Sequence, residues 1–230
     1  MKFGVVIFPG SNCDHDMIYL LRDIMEQDVY ELWHKDKSLK GVDAIILPGG
    51  FSYGDYLRSG AIARYSPVMD SVIEFAEKGG FVFGVCNGFQ ILCEAGLLPG
   101  TLLHNSHQKF VCKNVYIKPD NDCTIITSLL DKNKSYKIPI SHGEGRYYAD
   151  DEVLKDMRQN DQILFRYCNE KGIISEDSNP NGTLENIAGV CNRKQNVYGM
   201  MPHPERAADE ELWNTDGRAI FESILAMLKT

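Results

Sequence analysis

The sequence predicts an open α/β fold: a mixed, largely parallel sheet flanked by helices. Two patterns carry that prediction. Through residues 1–96, short apolar runs alternate with amphipathic stretches of helical spacing, in the order β-α-β-β-α-β-α. Past residue 100 the apolar runs are more strand-like and follow one another closely, which makes the sheet mixed. A chain of 230 residues with 43% apolar content can bury a full core, and the expectation is one domain over 1–230.

Residues 2–8 (KFGVVIF) are the first expected strand, apolar and β-branched enough to be buried. A helix follows over 13–27. Met17, Leu20, Leu21, Ile24 and Met25 recur at helical spacing, and Asp14 and Asp16 lie in the first turn, where the helix dipole favours negative charge. Strands are expected at 29–33 and at 42–50, the second stopped by Pro48 and a glycine pair. Pro67 opens and Gly79 closes a helix over 67–80. Residues 81–85 (FVFGV) form a fourth strand, and a helix starts at Asn87. Further strands are expected at 110–118, 136–141, 162–168, 187–191 and 197–201. The polar stretch 175–186 (SEDSNPNGTLEN) reads as a surface loop. Ile220, Phe221, Ile224, Leu225 and Leu228 share one face of a closing helix.

Composition excludes several function classes. A net charge of −8 makes nucleic acid or an anionic membrane a poor main partner. No apolar run approaches the roughly 18 residues of a membrane span. The start, MKFGVVIFPGSNCDHD, meets Pro9 and then aspartates without a small-residue cleavage site, so it reads as a strand and not a signal peptide. The seven cysteines lack CxxC pairs, which points to a reduced, cytoplasmic chain and not to a disulfide framework or zinc site. The acidic segment 13–16 (CDHD) fits a helix start, and no metal is expected.

Three stretches carry chemistry. Gly84-Val85-Cys86-Asn87-Gly88 fits G-x-C-x-G at a strand-to-helix junction, the cysteine counterpart of a nucleophile elbow. The helix N-terminus there would favour a thiolate on Cys86. By itself the pattern leaves open a buried core cysteine, a cysteine hydrolase, or a redox or glyoxalase-type protein. Cys93 lacks this context and reads as core. Of the six histidines, His15, His34, His104 and His107 lie in polar stretches and read as surface residues, while His142 and His203 end predicted strands. In PHPE (202–205) prolines flank His203, and Glu205 is close enough to orient the imidazole. A helix opened by Pro204 is the structural alternative. An oxyanion site needs backbone N–H groups: Asn87 offers one, and Gly49 and Gly50 in the loop after the third strand can turn others toward a ligand.

Together, LPGG (47–50), GVCNGFQ (84–90) and PHPE (202–205) resemble, in that order, the triad-type (class I) glutamine amidotransferases. FPGSNCD (8–14), PGGFSYGDYLRSGAIA (48–63), HGEGRYY (142–148), NPNG (179–182) and GMMPHPER (199–206) extend the resemblance to the glutaminase subunits of phosphoribosylformylglycinamidine synthase. The resemblance implies a flavodoxin-like fold and a Cys86–His203–Glu205 triad that hydrolyses glutamine through a glutamyl thioester. Gly50 and Asn87 would hold the oxyanion, and Gln90 would seat glutamine, with His142 at the pocket or an interface. It also implies a synthetase subunit (PurL) and a small accessory subunit (PurS) as partners, with ATP and magnesium used by the synthetase and no cofactor in this chain. No nucleotide-binding glycine motif is present, in keeping with that division. The competing readings are an amidotransferase subunit of another synthetase and a non-catalytic glutamine-sensing subunit.

Overall fold

The computed structural model describes residues 1–228, which form two compact units. Unit one, residues 1–98 with 196–199, is a parallel α/β layer. Its strands are β1 (Lys2–Ile7), β2 (Asp28–Trp33), β3 (Ala44–Leu47) and β4 (Phe81–Val85), and they lie in the order β2-β1-β3-β4. These four strands pair in parallel: Phe3 faces Val29 and Ala44, and Ile45 faces Val82. Strands covered on both faces need continuous apolar runs. Accordingly β3 and β4 are buried at every position, while the edge strand β2 buries only Leu32.

Three helices flank this layer. α1 (Asp14–Tyr19) passes into a wider π-turn over Leu20–Ile24, so the expected helix ends short of residue 27. α2 (Pro67–Glu77) starts on Pro67, and Gly79 follows its end at φ +91°. α3 (Asn87–Glu94) packs on β3 and β4. Residue 196 closes the unit: Val82 N–H donates to Asn196 O (2.9 Å), and Asn196 Nδ2 donates to Ala76 O and Gly80 O.

Unit two, residues 99–195 with 200 onward, is built on antiparallel strands. β5 (Thr101–Leu103) pairs with β8 (Arg146–Tyr148) in a short ribbon. β6 (Val111–Pro119) lies between β7 (Tyr136–His142) and β9 (Ile163–Cys168), and β10 (Ile187–Cys191) pairs with β9. β7 alternates: Tyr136, Ile138, Ile140 and His142 are buried and Lys137 is exposed, as a strand covered on one face requires. α4 (Asp151–Gln159) follows β8 and precedes β9 in the chain, with Leu154 and Met157 inward and the Asp150 carboxylate accepting from Val153 N–H at its start. Met200 ends β11 (Val197–Met200), whose residues 197–199 belong to unit one, and the chain runs on to His203; α5 (Arg218–Leu228) buries Ile220, Phe221 and Ile224. Lys229 and Thr230, the end of the expected closing helix, lie outside the described residues.

Two parts of this unit differ from expectation. β5 and β8 are three residues each, too short to signal themselves, and α4 carries few apolar residues. The stretch 175–186 is polar but not a plain surface loop, since Asn181, Thr183 and Asn186 are buried. Asn179 Oδ1 accepts from the N–H groups of Asn181, Gly182 and Thr183, and Asn186 Nδ2 donates to Tyr167 O and Ser175 O. Asparagine side chains there do the pairing that a regular ladder would otherwise do.

Candidate active site

In unit one, β4 ends at Val85 and α3 begins at Asn87, so Cys86 alone makes the turn. Its backbone sits at φ +49°, ψ −105°, a conformation that L-residues rarely adopt and that persists only where the surroundings enforce it. The two glycines make that enforcement possible. A Cβ on Gly88 would lie 1.9 Å from Leu47 O, and one on Gly84 would lie 2.6 Å from the Gly88 carbonyl carbon. The G-x-C-x-G spacing is thus a packing requirement: α3 and β4 meet, and α3 meets β3, backbone to backbone. Cys86 is held at the N-terminal end of α3. Cys93 lies further along α3 and is half-buried, not the core residue expected, and desolvation pushes its thiol up.

Around the elbow, Gln90 N–H donates to Cys86 O (3.1 Å). The Asn87 side chain is buried; its Oδ1 accepts from Ser52 N–H (3.1 Å) and its Nδ2 donates to Gln90 Oε1 (3.0 Å). Gly50, at φ +141°, bridges to Ser11, and a Cβ there would meet Asn12 N at 2.8 Å. The loop beyond it is held by Tyr53, whose hydroxyl bonds His34 Nδ1 (2.6 Å) and Ser66 Oγ (2.8 Å). His34 is therefore buried, not the surface residue its polar neighbours suggest, and burial lowers its pKa. Gly50, Cys86, Asn87 and Gln90 all fall in this unit.

His203, Glu205 and His142 fall in unit two. His203 N–H donates to Pro139 O of β7 (2.8 Å), which ties the segment after β11 to that strand. Glu205 begins its turn just after Pro204, and its Oε1 lies 2.6 Å from His203 Nδ1, with both side chains at most 1% exposed. A carboxylate only accepts, so Nδ1 carries the proton and Nε2 is left as the basic atom.

His142 is fixed by a similar argument. Asn105 Nδ2 donates to Lys109 O (2.8 Å) and His142 O (3.0 Å), and its Oδ1 accepts from Gly145 N–H (3.1 Å). The His142 Nδ1 that meets the same Oδ1 at 3.1 Å is therefore protonated, and Nε2 is a buried acceptor. Burial, then the neighbouring His203 charge, lower its pKa to about 4, so His142 is neutral at physiological pH. His104 is exposed and faces Glu144 at 3.5 Å, and His15 and His107 are exposed. Asn105, Tyr53 and Ser66 are not legible in the sequence as site neighbours; Asn105 is one polar residue in HNSH, and nothing local marks it.

The family model for the CobB/CobQ-like glutamine amidotransferase domain matches residues 1–226. "Phosphoribosylformylglycinamidine synthase subunit PurQ" of Salinibacter ruber is 54% identical over 97% of this chain and 95% of its own length. The chain belongs to the PurQ family of glutamine amidotransferases. The PurQ subunit of Koribacter versatilis is likewise 54% identical, over 99% of both chains. A solved chain from the "Structure of PurLQS from Thermotoga maritima" superposes with a TM-score of 0.87 at 43% identity, covering 99% of this chain and 98% of that one. The PurQ fold is the open mixed α/β sheet with flanking helices expected from the sequence. Among the described residues, no group of three or more His, Cys, Asp or Glu is arranged to hold a metal ion, and no helix is long and apolar enough to cross a membrane.

Proposed function

We propose that this chain is the glutaminase subunit of phosphoribosylformylglycinamidine synthase and acts as one amidotransferase domain over 1–230. The observation that carries the reading is the strained Cys86 turn between Gly84 and Gly88, in a chain similar end to end to PurQ subunits. Cys86 Sγ attacks the side-chain carbonyl carbon of glutamine as His203 Nε2 takes the thiol proton. Glu205 holds Nδ1–H and stabilises the imidazolium. The N–H groups of Gly50 and Asn87 take the developing oxyanion, and Gln90 and His142 line the glutamine pocket. As the C–N bond breaks, the imidazolium protonates the amine and ammonia leaves a glutamyl thioester. Water, deprotonated by His203, cleaves the thioester and restores the thiol with release of glutamate.

Ammonia is then consumed by a PurL synthetase subunit, with PurS as accessory subunit, in the conversion of formylglycinamide ribonucleotide to the formylglycinamidine during purine synthesis. ATP and magnesium serve that step in the partner, and this chain needs no cofactor. The setting is the cytoplasm. The deciding experiment reconstitutes the complex with Cys86→Ser. Glutamine-dependent product formation should fall to background, about 10⁴-fold or more, while synthesis fed with ammonium salts continues at the parent rate. Full glutamine-dependent activity in Cys86→Ser would overturn the assignment.

A further inference from the structure

The proposed oxyanion donors, the N–H groups of Gly50 and Asn87, belong to different segments, and something must hold them in register. Oxyanion stabilisation depends on donors fixed before the reaction, because a donor that must be ordered during the step loses most of its effect. The elbow itself fixes Asn87. Gly50 instead opens a stretch that is poorly suited to hold its own shape. Within 50–57, Tyr53, Asp55 and Leu57 are non-glycine residues at φ +54°, +53° and +69°, and Gly54 is at +70°. Tyr56 and Leu57, at its tip, are 74% and 92% exposed, so packing does not hold that end. A left-handed backbone at several non-glycine positions is costly and needs external restraint.

Backbone bonds anchor the start of this stretch, with Gly50 bridged to Ser11, Phe51 N–H donating to Gly10 O (3.0 Å) and Tyr53 N–H to Pro9 O (2.6 Å), and two side-chain clamps tie it to the elbow and to the rest of the unit. Asn87, the residue that follows the nucleophile, accepts the Ser52 N–H at 3.1 Å, and only Phe51 separates Ser52 from Gly50. Its amide cannot turn over: Nδ2 is occupied by Gln90 Oε1 at 3.0 Å and approaches Asp55 Oδ1 at 3.5 Å. The second clamp is the Tyr53 hydroxyl between His34 Nδ1 and Ser66 Oγ, at 2.6 and 2.8 Å. We propose that the Asn87 side chain, backed by the Tyr53 hydroxyl, is a positioning strut that holds the Gly50 segment against the elbow and so sets the spacing of the two oxyanion donors. The inference rests on the glutaminase reading above and assigns to Asn87 a side-chain role distinct from that of its backbone N–H.

Asn87→Ala removes the strut and leaves the backbone donor in place. The test measures glutamine hydrolysis by the reconstituted complex, and alongside it the rate at which iodoacetamide alkylates Cys86. Alkylation displaces iodide without forming an oxyanion, so it reports the thiol and the elbow alone. The expected result is a kcat about 10²-fold lower, the size seen when one oxyanion donor is lost, with KM within about threefold and alkylation within about twofold of the parent. Should the alanine variant fail to fold, Tyr53→Phe loosens the same segment from its other end, with kcat expected to fall about fivefold and alkylation unchanged. Hydrolysis within about twofold of the parent in the folded variant would overturn the strut, as would a parallel fall of kcat and alkylation, which would make Asn87 a builder of the elbow only. A parent complex that does not hydrolyse glutamine would instead remove the glutaminase reading on which the strut rests.

Discussion

At Cys86 the backbone conformation, the neighbouring glycines and the thiol's place ahead of α3 are one arrangement. The turn exists because β3, β4 and α3 approach closely enough that no Cβ fits at Gly88. Gly88→Ala would force the Leu47 carbonyl and α3 apart, an overpacking cost of about 3 kcal/mol. A drop of that size in urea-denaturation stability, with lost glutamine-dependent activity, is expected. At His203 the decisive contact is the 2.6 Å approach of Glu205. Under the proposed mechanism, Glu205→Gln removes the charge that stabilises the imidazolium while keeping the side chain's size. Glutamine hydrolysis should fall about 10²-fold or more, with ammonia-dependent synthesis by the complex unchanged. The turn at Cys86 and the His203–Glu205 pair are legible in the sequence because each is a compact motif. His34 is not, since its burial comes with Tyr53 and Ser66, 19 and 32 positions away.

Among elements, unit two is ordered by buried asparagines as much as by apolar packing. Asn105 satisfies two carbonyls, one backbone N–H and the His142 ring from a position with no exposed surface. Asn105→Ala takes this partner from the buried His142 carbonyl and ring and the buried Gly145 N–H, and the expected loss is about 3 kcal/mol, read as a lower melting temperature. An apolar variant of similar volume should do no better, because the unpaired partners remain. This layer is the least legible in the sequence. Apolar runs mark β6, β7, β9 and β10, but β5 and β8 are three residues each and too short to show a period. α4 leaves a weak trace: Asp150 as a cap and Leu154 and Met157 at i, i+3. In 175–186 polarity does not mean exposure, because an asparagine that pairs with backbone and one that pairs with water read alike.

For the whole molecule, the pH dependence of stability carries the signature of His142. Its folded pKa is lowered from 6.5 to about 4, so between those values the unfolded chain binds the extra proton. Stability is therefore full above about pH 6.5 and declines as pH falls toward 4, by ~3 kcal/mol at most. Urea titrations at about pH 7 and about pH 4.5, on either side of the ordinary histidine pKa, should differ more for the parent than for His142→Gln; equal differences would refute the buried neutral imidazole. Fold class, the parallel first half of the sheet and the three motifs followed from the sequence alone. Periodicity and glycine spacing are local consequences of packing, and a linear string records them. The tautomers of His142 and His203, the strain at Cys86, the Asn87 clamp and the buried asparagine network were decided only by tertiary structure. Each depends on which backbone or side-chain group lies opposite, and that partner is distant in sequence or indistinguishable from solvent in composition.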